Sequence, residues 1–144
     1  MGWKTRVLTL TPLILLATAC SPQPPRDTVV EIPCEKFSAE AGDQVRITRN
    51  VSVKEGGHVV VRLCTNPSTG FAWEDADVST PTVLVERSRE FIPPGVTMPG
   101  SAGLEQWTFE AIGDGVCTVA LSYSRPWEGG EKGIWLFELE VTVA

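Results

Sequence analysis

Alternation with a period of two governs this chain from residue 43 onward. In "LEQWTFEA" Trp107 and Phe109 share one face. In "GIWLFELEVTV" Trp135, Phe137, Leu139, Val141 and Val143 face one way, and Glu138, Glu140 and Thr142 face the other. Successive side chains of a strand point to opposite faces, so this pattern specifies half-buried β-strands and does not suit a helix. "DQVRIT", "VSVK", "HVVVRLC", "FAWED", "TVLVERS" and "VCTVALSY" read as further strands, with "REFIPP" closing one of them. Turn residues punctuate them at intervals of about ten, the spacing of an all-β sandwich. With 144 residues the chain is long enough for one domain with a real core.

The first nineteen residues follow another rule. Lys4 and Arg6 give a positive start, "VLTLTPLILLATA" is uncharged and apolar, and Ala17, Thr18 and Ala19 precede Cys20. This is the layout of a secretory signal, with an apolar part too short to span a membrane comfortably. "LATAC" also resembles a bacterial lipoprotein box, in which the Cys becomes the lipid-bearing N-terminus; Ala17 stands where Leu is usual. The expected organisation is a signal peptide over 1–19, a lipidated Cys20 with a Pro-rich tether over 20–30, and one domain over 31–144. The chain would cross the cytoplasmic membrane and stay anchored to the bacterial envelope through Cys20. The alternative is a secreted protein cut near Cys20. Without its signal the chain keeps 10 basic residues against 18 acidic ones, a charge of −8. Dispersed acidity without a basic stripe argues against a nucleic-acid partner.

If Cys20 carries lipid, Cys34, Cys64 and Cys117 remain for one bridge and one free thiol, in keeping with an oxidising compartment. Val59, Val61 and Leu63 alternate inward, so Cys64 points the other way at a strand end. Cys117 is in phase with Val119, Leu121 and Tyr123, a core face where a free Cys acts as a small hydrophobe. The expected bridge is Cys34–Cys64; the rival is Cys64–Cys117, joining two sheets.

Three connections are long and irregular: "NPSTGF" at Asn66–Phe71, "PPGVTMPGSAG" at Pro93–Gly103 and "RPWEGGEK" from Arg125. Each follows the previous one by two strands, which returns it to the same end of a sandwich. The other turns, "EGG" and "GDG", are short hairpin connections. In the first loop Pro67 fixes its own φ and biases Asn66 toward an extended shape, while Gly70 permits a positive φ. In the third, Pro126 stiffens the approach to Trp127, an aromatic placed in a loop beside Arg125 and Glu128, and Trp and Arg are the commonest hot-spot residues. Gly100 and Gly103 let the middle loop lie flat against a partner.

Catalytic chemistry is missing. His58 is the single histidine and starts a strand beside a turn, where it reads as a solvated edge residue. Three-histidine zinc ligation is impossible, and Cys64 lies about 20 Å along the same strand from His58. No carboxylate pair and no phosphate-cradling glycine motif stands out. No enzyme activity, metal or cofactor is expected.

"NPSTGF", "PGSAG" and "RPWEGG", in that order and spacing, resemble the chagasin family, over roughly Asp43–Ala144. That family consists of immunoglobulin-like β-sandwich inhibitors of papain-like cysteine proteases. The resemblance implies an antiparallel immunoglobulin-like sandwich that inhibits such a protease reversibly and without a covalent step. Three loops at one end would enter the active-site cleft. Asn66, Pro67, Ser68, Thr69, Gly70 and Phe71 would form the central loop, with Ser68 and Thr69 nearest the catalytic Cys and His. Many family members carry two threonines there, so Ser68 keeps the hydroxyl and loses a methyl. Met98, Gly100 and Gly103 would flank one side, and Arg125, Pro126, Trp127 and Glu128 the other. The protein would act as a monomer. The competing reading is an envelope-anchored adhesion or binding module with no protease target.

Overall fold

The computed structural model describes Gly2, residues 26–37 and residues 43–144. Gly2 apart, the expected signal peptide, the lipidation site Cys20 and the tether as far as residue 25 lie outside the described residues. Among the described residues nine strands follow in order: β1 (Thr28–Ile32), β2 (Val45–Val53), β3 (His58–Thr65), β4 (Ala72–Trp73), β5 (Asp77–Val78), β6 (Leu84–Ile92), β7 (Gly103–Ala111), β8 (Gly115–Ser124) and β9 (Trp135–Val143). Two 3-10 turns, Cys34–Phe37 and Pro67–Thr69, interrupt them. One sheet has the order β1-β3-β7-β6, and the other β2-β9-β8-β4 with β5 also on β8.

The alternation explains the burial. Cys117, Val119, Leu121 and Tyr123 of β8 and Phe137, Leu139, Val141 and Val143 of β9 point into the space between the sheets. Val59, Val61 and Leu63 of β3 and Trp107 and Phe109 of β7 meet them from the other side. "DQVRIT" and "VSVK" form one continuous edge strand, β2, rather than two.

The sandwich is not purely antiparallel. β1 runs parallel to β3, with Thr28 opposite Val59 and Ile32 opposite Leu63, and β2 runs parallel to β9, with Val45 opposite Trp135. Period-two patterning carries no strand direction. β1 is an edge strand of one sheet and β2, the next strand, an edge strand of the other, so the chain crosses over between the sheets. The remaining pairings are antiparallel.

That crossover is pinned at both sheets. A disulfide joins Cys34 to Cys64 at the end of β3, and Cys117 is a buried free thiol. Phe37 is buried, stacks on Trp135 with centroids 4.7 Å apart and meets Trp73 edge-on at 5.7 Å. The bridge spans a sequence separation of 30, and closing a loop of that size stabilises a fold by about 3–4 kcal/mol in the chain-entropy account. The double variant Cys34→Ala/Cys64→Ala is expected to unfold at lower urea concentration by about that free energy. An unchanged midpoint would show that Phe37 alone seats the crossover.

Candidate functional site

Strand direction gathers the long loops. β3, β6 and β8 end at the same pole of the sandwich at which β7 and β9 begin, since Thr65 faces Gly103, Ile92 faces Leu104 and Tyr123 faces Trp135. The loops Asn66–Phe71, Pro93–Ala102 and Arg125–Ile134 therefore emerge side by side.

The central loop is a closed 3-10 turn. Asn66 is extended (φ −130°, ψ 92°), Pro67 opens the turn, and Gly70 ends it in the left-handed region at φ 78°. The hydrogen bonds converge on Asn66. Its Oδ1 accepts from the Ser68 amide at 3.2 Å and from Ser68 Oγ at 2.6 Å. Its carbonyl accepts from Thr69 Oγ1 at 2.7 Å, and its own amide donates to the Tyr123 hydroxyl at 2.8 Å. Pro67, Ser68 and Thr69 are exposed at the tip. Phe71 is half-buried and stacks on Tyr123, so it supports the tip from beneath.

Asn66 also reaches the second loop, because its Nδ2 donates to the Gly100 carbonyl at 2.9 Å. That loop turns through Ser101 N to Met98 O at 3.0 Å and Met98 N to Ser101 Oγ at 3.1 Å. Met98 is 64% exposed and Val96 75%. Gly103 differs from its expected place on a binding surface. It is buried at the start of β7, where a Cβ would come within 2.7 Å of the Phe91 ring and 2.6 Å of the Ile92 carbonyl. Its lack of a side chain lets the strands close, and it presents nothing to a partner.

The third loop folds over the first. The Arg125 guanidinium lies 4.4 Å above the Phe71 ring and 5.9 Å from the Trp127 ring, and it pairs with Glu131 at 3.6 Å. Lys132 Nζ donates to the carbonyls of Arg125 and Trp127 at 2.6 and 3.2 Å, holding the loop curled. Trp127 remains 52% exposed, and Pro126 and Glu128 are exposed beside it. Its ring stands where a Cβ on Gly70 would be, 2.7 Å from Trp127 Cη2. A side chain at Gly70 would therefore meet both a strained φ and an occupied space.

Rings link the central loop to the crossover, and Arg125 over Phe71 joins the third loop to the run. Phe37 stacks on Trp135, Trp135 on Tyr123 (4.4 Å, interplanar 5°) and Tyr123 on Phe71 (5.6 Å). Sequence reading placed Tyr123 in the core by phase and missed that its hydroxyl holds Asn66. It also missed Lys132, Val96 and Phe37; exposed Val and Lys in Pro- and Gly-rich loops were the available signals.

Among the described residues no three His, Cys, Asp or Glu side chains form a metal-binding group. His58 is at the far pole, 3.2 Å from Asp27. Burial raises the carboxyl of Glu86 above the ordinary range, Arg89 opposing and Asp75 adding to the shift; it lies on β6, six residues before Ile92.

Comparisons with known proteins bear on the fold and the family. Residues 52–141 match the family model described as chagasin family peptidase inhibitor I42. Amoebiasin-2 of Entamoeba histolytica is 34% identical over 77 residues, 51% of this chain and 60% of that protein. Chagasin of Trypanosoma cruzi is 32% identical over 82 residues, 55% of this chain and 74% of its own length. The cysteine protease inhibitor EhICP2 from Entamoeba histolytica shares the fold with a TM-score of 0.58 at 19% identity, over 83% of this chain and 96% of that one. PbICP-C, solved in complex with falcipain-2, shares it with a TM-score of 0.61 at 13% identity, over 81% and 99%. By its β-sandwich and by the match across residues 52–141, this chain belongs to the chagasin family of peptidase inhibitors.

Proposed function

We propose that the protein is a reversible, non-covalent inhibitor of papain-like cysteine proteases and that its three long loops enter the active-site cleft together. One observation carries the reading. The loops are locked to one another before any partner arrives, through Asn66 Nδ2 on the Gly100 carbonyl and Arg125 over Phe71. A preassembled wedge loses little conformational entropy on entering a cleft. The target class agrees with the description of EhICP2 as a cysteine protease inhibitor and with the partner of PbICP-C, falcipain-2.

Ser68 and Thr69 go deepest. Both hydroxyl protons point inward, to Asn66 Oδ1 and the Asn66 carbonyl. Thr69 Oγ1 also accepts from the Phe71 amide at 3.3 Å, so acceptor capacity toward a partner is greatest on Ser68 Oγ, suited to N–H donors around a catalytic Cys–His pair. A substrate must lie extended across those groups. A 3-10 turn closed by left-handed Gly70 offers no such extended bond, so the loop fills the cleft without being cut. Trp127 packs on aromatic residues of the enzyme on one side. Met98–Ser101 lies along the other and offers backbone hydrogen bonds, as an added strand does. In the same reading a lipid on Cys20 holds the inhibitor at the bacterial envelope. Palmitate labelling of the wild-type chain, lost in Cys20→Ser, is the expected result; equal labelling of the two removes the anchor.

The decisive experiment measures inhibition of papain by the purified mature domain. Trp127→Ala is expected to raise the inhibition constant about 30-fold, the ~2 kcal/mol of a hot-spot residue, with thermal unfolding unchanged. Gly70→Glu is expected to weaken inhibition further, by straining the turn and displacing Trp127. Full inhibition by both variants would falsify the wedge. A wild-type domain without inhibition at micromolar concentration would favour the adhesion module instead.

Tyr123→Phe tests the stiffness of the central loop. It leaves the Asn66 amide without its acceptor at a cost of about 1–2 kcal/mol. The variant is expected to be cleaved slowly within Asn66–Phe71 on long incubation with papain, as seen by mass spectrometry, while the wild type stays whole. Equal resistance of both chains would show that the turn holds without the hydroxyl.

A further inference from the structure

The central loop is a passage between sheets. It leaves β3, in the first sheet, at Thr65 and enters β4, at the edge of the second sheet, at Ala72. The distance between its two arms therefore follows from how the sheets are held together at this side of the sandwich. β4 by itself gives weak support. It is two residues long and pairs with β8 through Ala72 opposite Ser124 and Trp73 opposite Tyr123.

Trp73 supplies one tie. Its indole Nε1 donates at 3.0 Å to the carbonyl of Cys64, two residues before Asn66, so exit arm and entry arm are joined beneath the loop. Arg89 supplies the other. Its Nη2 donates to the Trp73 carbonyl, its Nε to Glu105 on β7 and its Nη1 to Asp75 at 3.2 Å. The guanidinium lies 5.2 Å from the centre of the Trp107 ring. Arg89 belongs to β6, the edge strand of the first sheet, so the bond to Trp73 crosses from one sheet to the other. A planar fork of N–H donors suits acceptors lying in different directions.

A β-bulge aims the side chain there. Leu84 and Glu86 lie opposite Ala111 and Phe109, which are buried. Unbroken alternation would continue that face with Ser88 and Glu90 and send Arg89 to the outer one. The register shifts between Glu86 and Ser88, and Arg89 comes opposite buried Trp107 instead. Bulges re-aim side chains in this way.

We infer that Arg89 is a positioning residue of the inhibitory edge: reaching across from β6, it holds the Trp73 carbonyl and thereby fixes the span of the central loop. The inference rests on the inhibitory reading above. Arg89 acts through Trp73 and needs no contact with the protease.

Three variants of the purified mature chain test it. Arg89→Gln removes the tie. Arg89→Lys keeps a charge beside Glu105 but offers one ammonium in place of the fork. Arg87→Gln is the control, because Arg87 lies on the same strand and bonds Glu110 at 2.7 Å, on the outer face of the first sheet. Hydrogen exchange of the Trp73 indole and of the Asn66 amide is followed by NMR, beside the melting temperature and the inhibition of papain. These protons report the two arms through their bonds to the Cys64 carbonyl and the Tyr123 hydroxyl. In Arg89→Gln both are expected to exchange about tenfold faster, and the inhibition constant to rise about tenfold, as for one lost hydrogen bond to a charged group. Arg89→Lys is expected to fall between, and Arg87→Gln to match the wild type in exchange and inhibition. A merely structural role would lower the melting temperature of Arg89→Gln and leave exchange and inhibition at wild-type values; that result overturns the inference. If Arg89→Gln does not fold, wild-type exchange and inhibition in Arg89→Lys overturn it. If the wild type does not inhibit papain, the inhibitory reading falls, while faster exchange in Arg89→Gln still supports the tie and unchanged exchange removes it.

Discussion

The loop pole depends on a run of stacked rings. Phe37, Trp135, Tyr123 and Phe71 follow one another at centroid distances of 4.7, 4.4 and 5.6 Å, and Arg125 caps Phe71 at 4.4 Å. Trp73 braces the run from the side, 4.9 Å from Tyr123. The members come from the crossover, two neighbouring strands, the central loop and the third loop. Each stacked pair adds roughly 0.5–1.5 kcal/mol beyond the area it buries. Their larger effect is positional. Neither the central nor the third loop can shift without disturbing a ring contact, and the Asn66 Nδ2 bond to the Gly100 carbonyl ties the middle loop to the central one, so segments distant in sequence keep one arrangement.

Stiffness would have a chemical purpose if this edge enters a protease cleft, as proposed. Such a cleft receives extended peptide, and a flexible loop would adopt that shape and be cut. Asn66 holds the loop in a different shape by engaging its amide, carbonyl and side chain at once, each with a different partner. Pro67 and the left-handed Gly70 restrict the ends of the same turn. What faces outward is small and polar at the tip and apolar on the flanks, at Met98 and Trp127. That distribution resembles an interface core more than an ordinary solvated connection.

Much of this was legible before any coordinates. Period-two alternation marked the core faces of β7, β8 and β9 correctly, because burial on one side of a pleat leaves that trace. Counting strands between irregular segments gathered three loops at one pole, and parity around Leu63 turned Cys64 toward a partner outside its own strand face. Other features leave no such trace. The parallel pairing of β1 with β3 and of β2 with β9 is a matter of strand direction, which alternation does not record. Gly103 looked like a flat binding residue, but its position against Phe91 is a packing matter visible only in three dimensions. The Tyr123 hydroxyl and the curl imposed by Lys132 depend on long-range contacts that residue type does not announce.

The parallel pairing of β1 with β3 also sets an orientation. Thr28 lies opposite Val59, at the start of β3, and Asp27 sits beside His58 at the same end. The three loops lie at the pole where β3 ends, at Thr65, seven residues beyond His58, a rise of about 23 Å. The chain thus enters the domain at its base, while the loops crown the top. Under the proposed anchor at Cys20, the domain would be tied down at its base, on the side away from the crown. A partner could then reach the crown without passing the entering chain.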